Sequence, residues 1–348
     1  MGIQSTLILG TAKSGTTALF YAVRAAMSRA TGQDLKGRFA PRDMDAFRRY
    51  FQSSGDPVFL CKALLGPTIR GMQRAVDRFD SRIVLSRDPR DNIVSRLLFM
   101  PPRLLFETDE SKCGAYVDLI RKKQADPGSL SILSILRQLE SMAGRRDLPK
   151  NFRDGATLPA KVIRDHGDSF WMFGYDELIE GRFERLNAFL GVEVTPEFEV
   201  DGQHGYVSRS KGSGEWRSWF LAEDIDYFVC EVADDYVAMG FDPSETADPN
   251  AQINPKTGSD YVQKQVDRLI ASRASARERR RHELQEVVAQ VRAKTPRERR
   301  GKGTAAKTIT AVPAAFSARP RRADAFPPNR CAADCRCGRC GSAFFTNA

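Results

Sequence analysis

No run of eighteen apolar residues occurs in this chain of 348, which excludes a membrane-spanning helix. The first residues carry neither a basic n-region nor an apolar h-region, so the expected setting is cytoplasmic, with no secretory signal. Met1-Gly2-Ile3-Gln4-Ser5-Thr6 matches an N-myristoylation pattern, yet it leads straight into an apolar strand, and a structural reading is preferred. No internal repeat is apparent. Outside the C-terminus the cysteines are only Cys61, Cys113 and Cys230, too scattered for a disulfide framework and read as reduced thiols. A nucleoside-triphosphate loop, G-x-x-x-x-G-K-[ST], is also missing: Thr16 stands where its lysine would be, and no magnesium-binding partner motif is evident.

The formal charge of +10 is unevenly placed. Residues 277–348 hold 17 of the 54 Lys and Arg but 6 of the 44 Asp and Glu, so the chain before them is almost neutral. Any argument from charge therefore concerns the tail. Hydrophobic content of 41% and this length fit one or two globular domains with room for a core.

What is present begins with Leu7-Ile8-Leu9-Gly10-Thr11-Ala12-Lys13-Ser14-Gly15-Thr16-Thr17. An apolar strand ends at Gly10, a small polar turn follows, and a helix is expected from about Ser14. The N–H groups of Ser14 to Thr17 then point at an anion, with the hydroxyls of Ser14, Thr16 and Thr17 as further donors. Gly15 permits close approach, and Lys13 sits at the loop's crown, on the leaving-group side of a bound phosphate.

Pro57 to Lys62 reads as a short buried strand ending in Lys62, and Ile69 to Phe79 as a helix. Ser81 to Arg87 is a strand, Asp88-Pro89-Arg90-Asp91 a turn and N-cap, and Asn92 to Phe99 a helix. Met100 to Cys113, with Pro101-Pro102, reads as a loop bearing Glu107, Asp109 and Glu110. Helices are expected over Tyr116–Lys123 and Ser131–Met142, strands over Ala160–Arg164 and Ser169–Phe173. Arg182–Leu190 is a helix stopped by Gly191, and Ala222–Met239 one stopped by Gly240, with Ile225, Phe228, Val229, Val232, Tyr236 and Val237 inward. Alternating strands and helices call for a parallel sheet covered on both faces. The character changes near residue 250. Val262–Val291 is a long basic helix with Leu284, Val287, Val288 and Val291 on one narrow face, and from Lys294 the composition argues disorder. The expected division is thus a domain over 1–250, a helical basic extension over 251–294 and a disordered tail over 295–348.

Two further stretches turn the loop into a site. Arg87 closes a strand at the edge where open parallel sheets bind ligands, and Ser95 lies one to two turns into the next helix. Lys13, Lys62 and Arg87 are expected in one crevice. Arg209-Ser210-Lys211-Gly212-Ser213-Gly214-Glu215-Trp216-Arg217-Ser218-Trp219-Phe220 is a basic, glycine-bearing loop that suits folding over a phosphate, with the tryptophans read as core anchors.

Together these resemble the sulfotransferases that use 3′-phosphoadenosine 5′-phosphosulfate (PAPS), in their bacterial form. The family's P-K-S-G-T-T loop is matched by Ala12-Lys13-Ser14-Gly15-Thr16-Thr17 except at its first place. Its arginine and the serine eight residues on are Arg87 and Ser95. Against its closing loop, R-K-G-x-x-G-D-W-K-N-x-F, Arg209, Gly214, Trp216 and Phe220 match without a gap, Glu215, Arg217 and Ser218 are close, and Lys211-Gly212 falls one place late. Phe173-Gly174-Tyr175-Asp176-Glu177-Leu178 and the segment Arg185 to Gly191 are similar to its Y-E-D-L strand end and following helix. The resemblance spans residues 3–242.

It implies a three-layer α/β fold with a central parallel sheet, of the kind seen in P-loop nucleoside triphosphate hydrolases. It implies PAPS as co-substrate with no metal, and in-line sulfuryl transfer to a hydroxyl or amine of a saccharide or small alcohol. Lys13 and Lys62 would be catalytic. Lys13, Ser14, Gly15, Thr16, Thr17, Arg87, Ser95, Arg209, Lys211, Gly212, Ser213 and Gly214 would hold the nucleotide. Cytosolic members place a histidine two residues after the strand-end lysine, where this chain has Leu64. Glu107, Asp109, Glu110 and His204 are the candidate bases, and His166 and His282 are read as non-catalytic. Cys331, Cys335, Cys337 and Cys340 are close enough to hold zinc but lack the usual paired spacing, and disorder or a shifted reading frame is the preferred reading. A P-loop nucleotide kinase, or a protein binding nucleic acid or anionic membrane through its tail, are the alternatives.

Overall fold

The computed structural model describes residues 5–39, 59–66, 79–200, 202, 205, 212–248, 250 and 252–294. The expected helix over 69–79 lies outside them except for its last residue, as do Arg209, Lys211, His204, the tail and its cysteines. The chain divides into two units, Met1–Val287 and Val288–Ala348. Of the second, only 288–294, the end of the last helix, is described.

The first unit is α/β, with a central parallel sheet flanked by helices. Its strands are β1 (Ser5–Gly10), β2 (Arg38–Phe39), β3 (Phe59–Leu64), β4 (Ser81–Ser86) and β5 (Trp171–Gly174), in the order β2-β3-β1-β4-β5. Register aligns their carboxyl ends: Gly10 lies opposite Leu64 and Leu85, and Ser86 opposite Gly174. Side chains alternate between faces. Ile8, Leu60, Ile83 and Leu85 pack with α1 (Thr16–Thr31), α7 (Tyr175–Glu180) and α8 (Glu184–Leu190). Leu7, Leu9, Cys61 and Val84 pack on the other side with Val162 of α6 (Leu158–His166). Each buried aliphatic side chain contributes about 1.5–3 kcal/mol, so the centre of the sheet is firmly held.

A helical body stands beside the sheet. It comprises α2 (Pro89–Thr108), α3 (Lys112–Ala125), α4 (Ile132–Ala143), α5 (Leu148–Ala156), α9 (Ala222–Phe228) and the start of α11 (Ser259–Lys294). Trp216 and Trp219 are buried within it, as their reading as anchors requires. Ile253, Tyr261, Val262 and Val266 belong to the same core. Further along α11, Leu284, Val287 and Val288 are exposed.

Four expectations about elements are corrected. The helix after Arg87 does not stop at Phe99; α2 runs through Pro101 and Pro102 to Thr108. Pro101 removes the N–H that would bond Leu97 O. The buried Tyr116 hydroxyl donates to that carbonyl at 2.7 Å, which offsets the loss. Residues 160–164 are helical in α6, not a strand, with Pro159 early in the first turn and Val162 buried between exposed Lys161 and Arg164. The segment 222–239 breaks at Val229 into α9, a 3₁₀ turn and α10 (Ala233–Ala238), which rotates Val237 outward to 64% exposure. Strand β3 continues past Lys62 to Leu64. Among the described residues no helix is long and apolar enough to cross a membrane.

Candidate active site

Gly10 ends β1 because nothing larger fits. A Cβ there would lie 2.5 Å from Thr16 Cγ2 and 2.7 Å from Ser14 Oγ. The turn then passes through two left-handed residues, Lys13 (φ 68°) and Gly15 (φ 93°). A lysine in that conformation costs about 1 kcal/mol or more, and its peptide needs a partner. Arg87 supplies it, donating from Nη1 to Lys13 O at 2.8 Å.

Helix α1 opens at Thr16, two residues later than expected, with no side-chain cap. Its first-turn amides lack intrahelical acceptors and face the crevice at the sheet's carboxyl edge. Ser14 differs from expectation. Its N–H and its hydroxyl both donate to Thr11 O, at 3.3 and 2.9 Å, and it is fully buried. It closes the turn from within. Thr16 is buried beneath the loop, while Thr17 is half-buried.

Arg87 is the junction of the site. Its Nη2 donates to Gly212 O at 3.3 Å, and its guanidinium lies 4.3 Å from the Tyr175 ring. Tyr175 in turn packs on Gly15, where a Cβ would come within 2.7 Å of its ring. Among the described residues, Arg87 Nε is buried without a hydrogen-bond partner. A buried, unsatisfied guanidinium nitrogen fits an incoming anion.

Helix α2 lies along the same loop. Asp88 caps it, accepting from Arg90 N at 2.8 Å. Asn92 Nδ2 donates to Thr11 Oγ1 at 3.1 Å and to Ala12 O at 2.8 Å. Ser95 follows one turn on, buried on that face, and one turn beyond it the Phe99 ring lies 4.3 Å from Lys13 Nζ. Lys13 Nζ also donates to Tyr261 Oη at 3.4 Å.

The glycine-bearing loop is fastened by Asp91. Its carboxylate, 1% exposed, accepts from Gly214 N at 2.6 Å and from Trp216 N at 2.9 Å. Burial pushes the Asp91 carboxyl up, while Arg87 and the two amides oppose that shift and Asp88 adds to it. Gly214 is left-handed (φ 78°), and Ser213 is exposed. Behind this corner Arg90 forks onto Asp88, pairs with Glu245 at 2.9 Å, and lies 3.9 Å from the Trp216 ring.

Lys62 is placed by register opposite Ile8, two residues before the end of β3, on the face of α1. It is 3% exposed, and burial lowers its pKa to about 8. Three of the candidate bases lie among the described residues, and each is engaged by a neighbouring side chain. Glu107 pairs with Arg103, and Glu110 with Arg273 of α11. Asp109 accepts from the Ser111 hydroxyl and amide, which hold its carboxyl below the ordinary value. Asp91, Asn92, Phe99, Tyr175 and Tyr261 carry no motif signal of their own as site residues, beyond the cap around Asp91 and the strand end around Tyr175.

No family model and no curated protein matches the chain. Among solved structures it is similar to the mouse sulfotransferase SULT7A1 complexed with PAP, at 13% identity and a TM-score of 0.41, over 67% of this chain and 84% of that one. It is also similar to retinol dehydratase in complex with androsterone and inactive cofactor PAP, at 13% identity and a TM-score of 0.39, over 72% of this chain and 84% of that one.

Proposed function

We propose that the chain is a sulfotransferase of the kind its motifs resemble, taking PAPS as donor and releasing adenosine 3′,5′-bisphosphate. The observation that carries the reading is the Arg87 guanidinium. It is bonded at once to the crown of the phosphate loop and to the glycine-bearing loop, and its Nε is left over among the described residues. Three stretches that resemble one family's donor site thus meet at one buried cation.

In this reading the first-turn amides of α1 and Thr17 hold the 5′-phosphosulfate. Arg87, Ser95 and the loop from Arg209 to Gly214 hold the 3′-phosphate. Lys13 stabilises the bridging oxygen as it gains charge, which is where an ammonium helps most. Lys62 supplies a second cation at the same sheet edge. Positioning and electrostatics carry the rate, as in phosphoryl transfer, and no metal is required. The acceptor class is a hydroxyl or amine of a saccharide or small alcohol, and the setting is cytoplasmic.

Incubation with radiolabelled PAPS and a panel of glycans, phenols and lipids tests it. The expected result is label transferred to one acceptor class and abolished by Lys13→Ala. Absence of transfer to any acceptor, with tighter binding of magnesium–ATP than of the bisphosphate, overturns the reading in favour of a kinase.

A further inference from the structure

The first turn of α11 reaches into the site. Tyr261 stands 248 residues from Lys13 in sequence, yet its hydroxyl oxygen accepts from Lys13 Nζ at 3.4 Å and its ring centroid lies 5.8 Å from that nitrogen. The Phe99 ring centroid stands 4.3 Å from the same nitrogen. An ammonium beside two aromatic rings and a phenol oxygen is attracted by the ring quadrupoles and by a directed hydrogen bond.

The tyrosine is a fixed support. It is 6% exposed, and Val262 and Val266 beside it are part of the core. Just before it, Ser259 donates from its hydroxyl and its amide to Gln124 Oε1, at 2.9 and 3.2 Å, which ties this turn to α3. Phe99 is half-buried and packs against the same core, on a helix held to the loop by Asn92. Lysine, by contrast, has a flexible four-carbon stem that samples many rotamers. Two aromatic groups therefore help to fix where that stem ends.

We propose that Tyr261 is the positioning residue for the Lys13 ammonium, with Phe99 as its companion, so that the basic extension is a working part of the site. The kinetic consequence rests on the sulfotransferase reading; the placement of the lysine does not. Tyr261→Phe keeps the ring and its packing and removes only the hydroxyl. Tyr261→Leu removes the ring as well.

Two readouts test this. The first needs no substrate: trinitrobenzenesulfonate labelling of Lys13, followed by peptide mass spectrometry on the full chain. Tyr261→Phe is expected to raise the labelling rate severalfold, and Tyr261→Leu or Phe99→Leu to raise it further, because the ammonium is released to solvent. The second is steady-state transfer. Tyr261→Phe is expected to lower kcat about tenfold, the lower end of what a hydrogen bond to a charged group contributes, with KM for PAPS within about twofold. Labelling of Lys13 unchanged in both Tyr261→Phe and Phe99→Leu overturns the proposal, as does a kcat unchanged in Tyr261→Phe. Should Tyr261→Phe fail to fold, Phe99→Leu carries the same labelling test. A wild-type chain that transfers no sulfuryl group refutes the sulfotransferase reading, and the labelling comparison still decides the role of Tyr261.

Discussion

Replacing Asp91 by asparagine tests how the glycine-bearing loop is held over the site. The carboxylate accepts two backbone N–H groups, one through each oxygen, from Gly214 at 2.6 Å and Trp216 at 2.9 Å. Asparagine has one acceptor oxygen, so its amide nitrogen must face one of those donors. A hydrogen bond to a charged group contributes about 1.5–3 kcal/mol, and one of the two is lost outright. Part of that loss is offset, because the buried carboxylate is costly to ionise and the amide is not. The net effect on docking of the loop is about 1.5 kcal/mol, close to a factor of ten. On the proposed sulfotransferase reading, only a ligand with a 3′-phosphate engages the loop. Calorimetric titration of Asp91→Asn should therefore show about tenfold weaker binding of adenosine 3′,5′-bisphosphate, with adenosine 5′-phosphate unchanged. Equal weakening of both ligands, or of neither, would refute the argument that this carboxylate acts through the loop.

Three other perturbations follow from the same geometry. Burial lowers the Lys62 pKa from 10.5 to about 8, so its ammonium is present below that pH and lost above it; kcat should decline as pH rises past 8, and Lys62→Met should be slower and lack that limb, whereas an identical limb in the variant contradicts the role. Burial raises the Asp224 carboxyl from 3.8 to about 6, against hydrogen bonds from the amides of Leu221, Leu133 and Ile132. The folded chain therefore holds this proton more tightly than the unfolded one. Its contribution to stability is full below about pH 4 and is lost as pH rises through 6, a change of about 3 kcal/mol. Urea titrations across that window should show the slope in the wild type and its loss in Asp224→Asn; parallel slopes contradict it. Gly10→Ala should cost about 1–3 kcal/mol by crowding Thr16 and Ser14, lowering both the thermal midpoint and bisphosphate affinity. Gly167→Ala, whose Cβ meets nothing within 4 Å, is the control in the same melts.

The parts of the fold legible in the sequence were those with local causes. The strand into Gly10, the glycine at position 15, the cap at Asp88 and the stops at Gly191 and Gly240 each follow from a residue's own backbone preference or from the periodicity beside it. Part of what failed had distant causes. Pro101-Pro102 read as a helix stop, and only Tyr116, from the following helix, makes the passage of α2 through them tolerable. Residues 160–164 form a run too short to reveal its period, and Pro159 was the cue that a helix had begun. In the candidate site, the spacing predicted that the loop and Arg87 lie together, and Arg87 does bond Lys13 O. The bond from the Ser14 hydroxyl to Thr11 O has no signature in the spacing. Asp91 and Tyr261 act across 123 and 248 residues of chain, and no spacing rule spans such distances.

The central claim is that one buried cation, Arg87, gathers two loops around a nucleotide bearing phosphates at both ends. Calorimetry of the full chain with adenosine 3′,5′-bisphosphate, adenosine 5′-phosphate and magnesium–ATP tests it most directly. The account predicts that the bisphosphate binds about a hundredfold tighter than the monophosphate without magnesium, and that Arg87→Ala removes this advantage. Magnesium–ATP binding more tightly than the bisphosphate, or a bisphosphate preference untouched by Arg87→Ala, would contradict it.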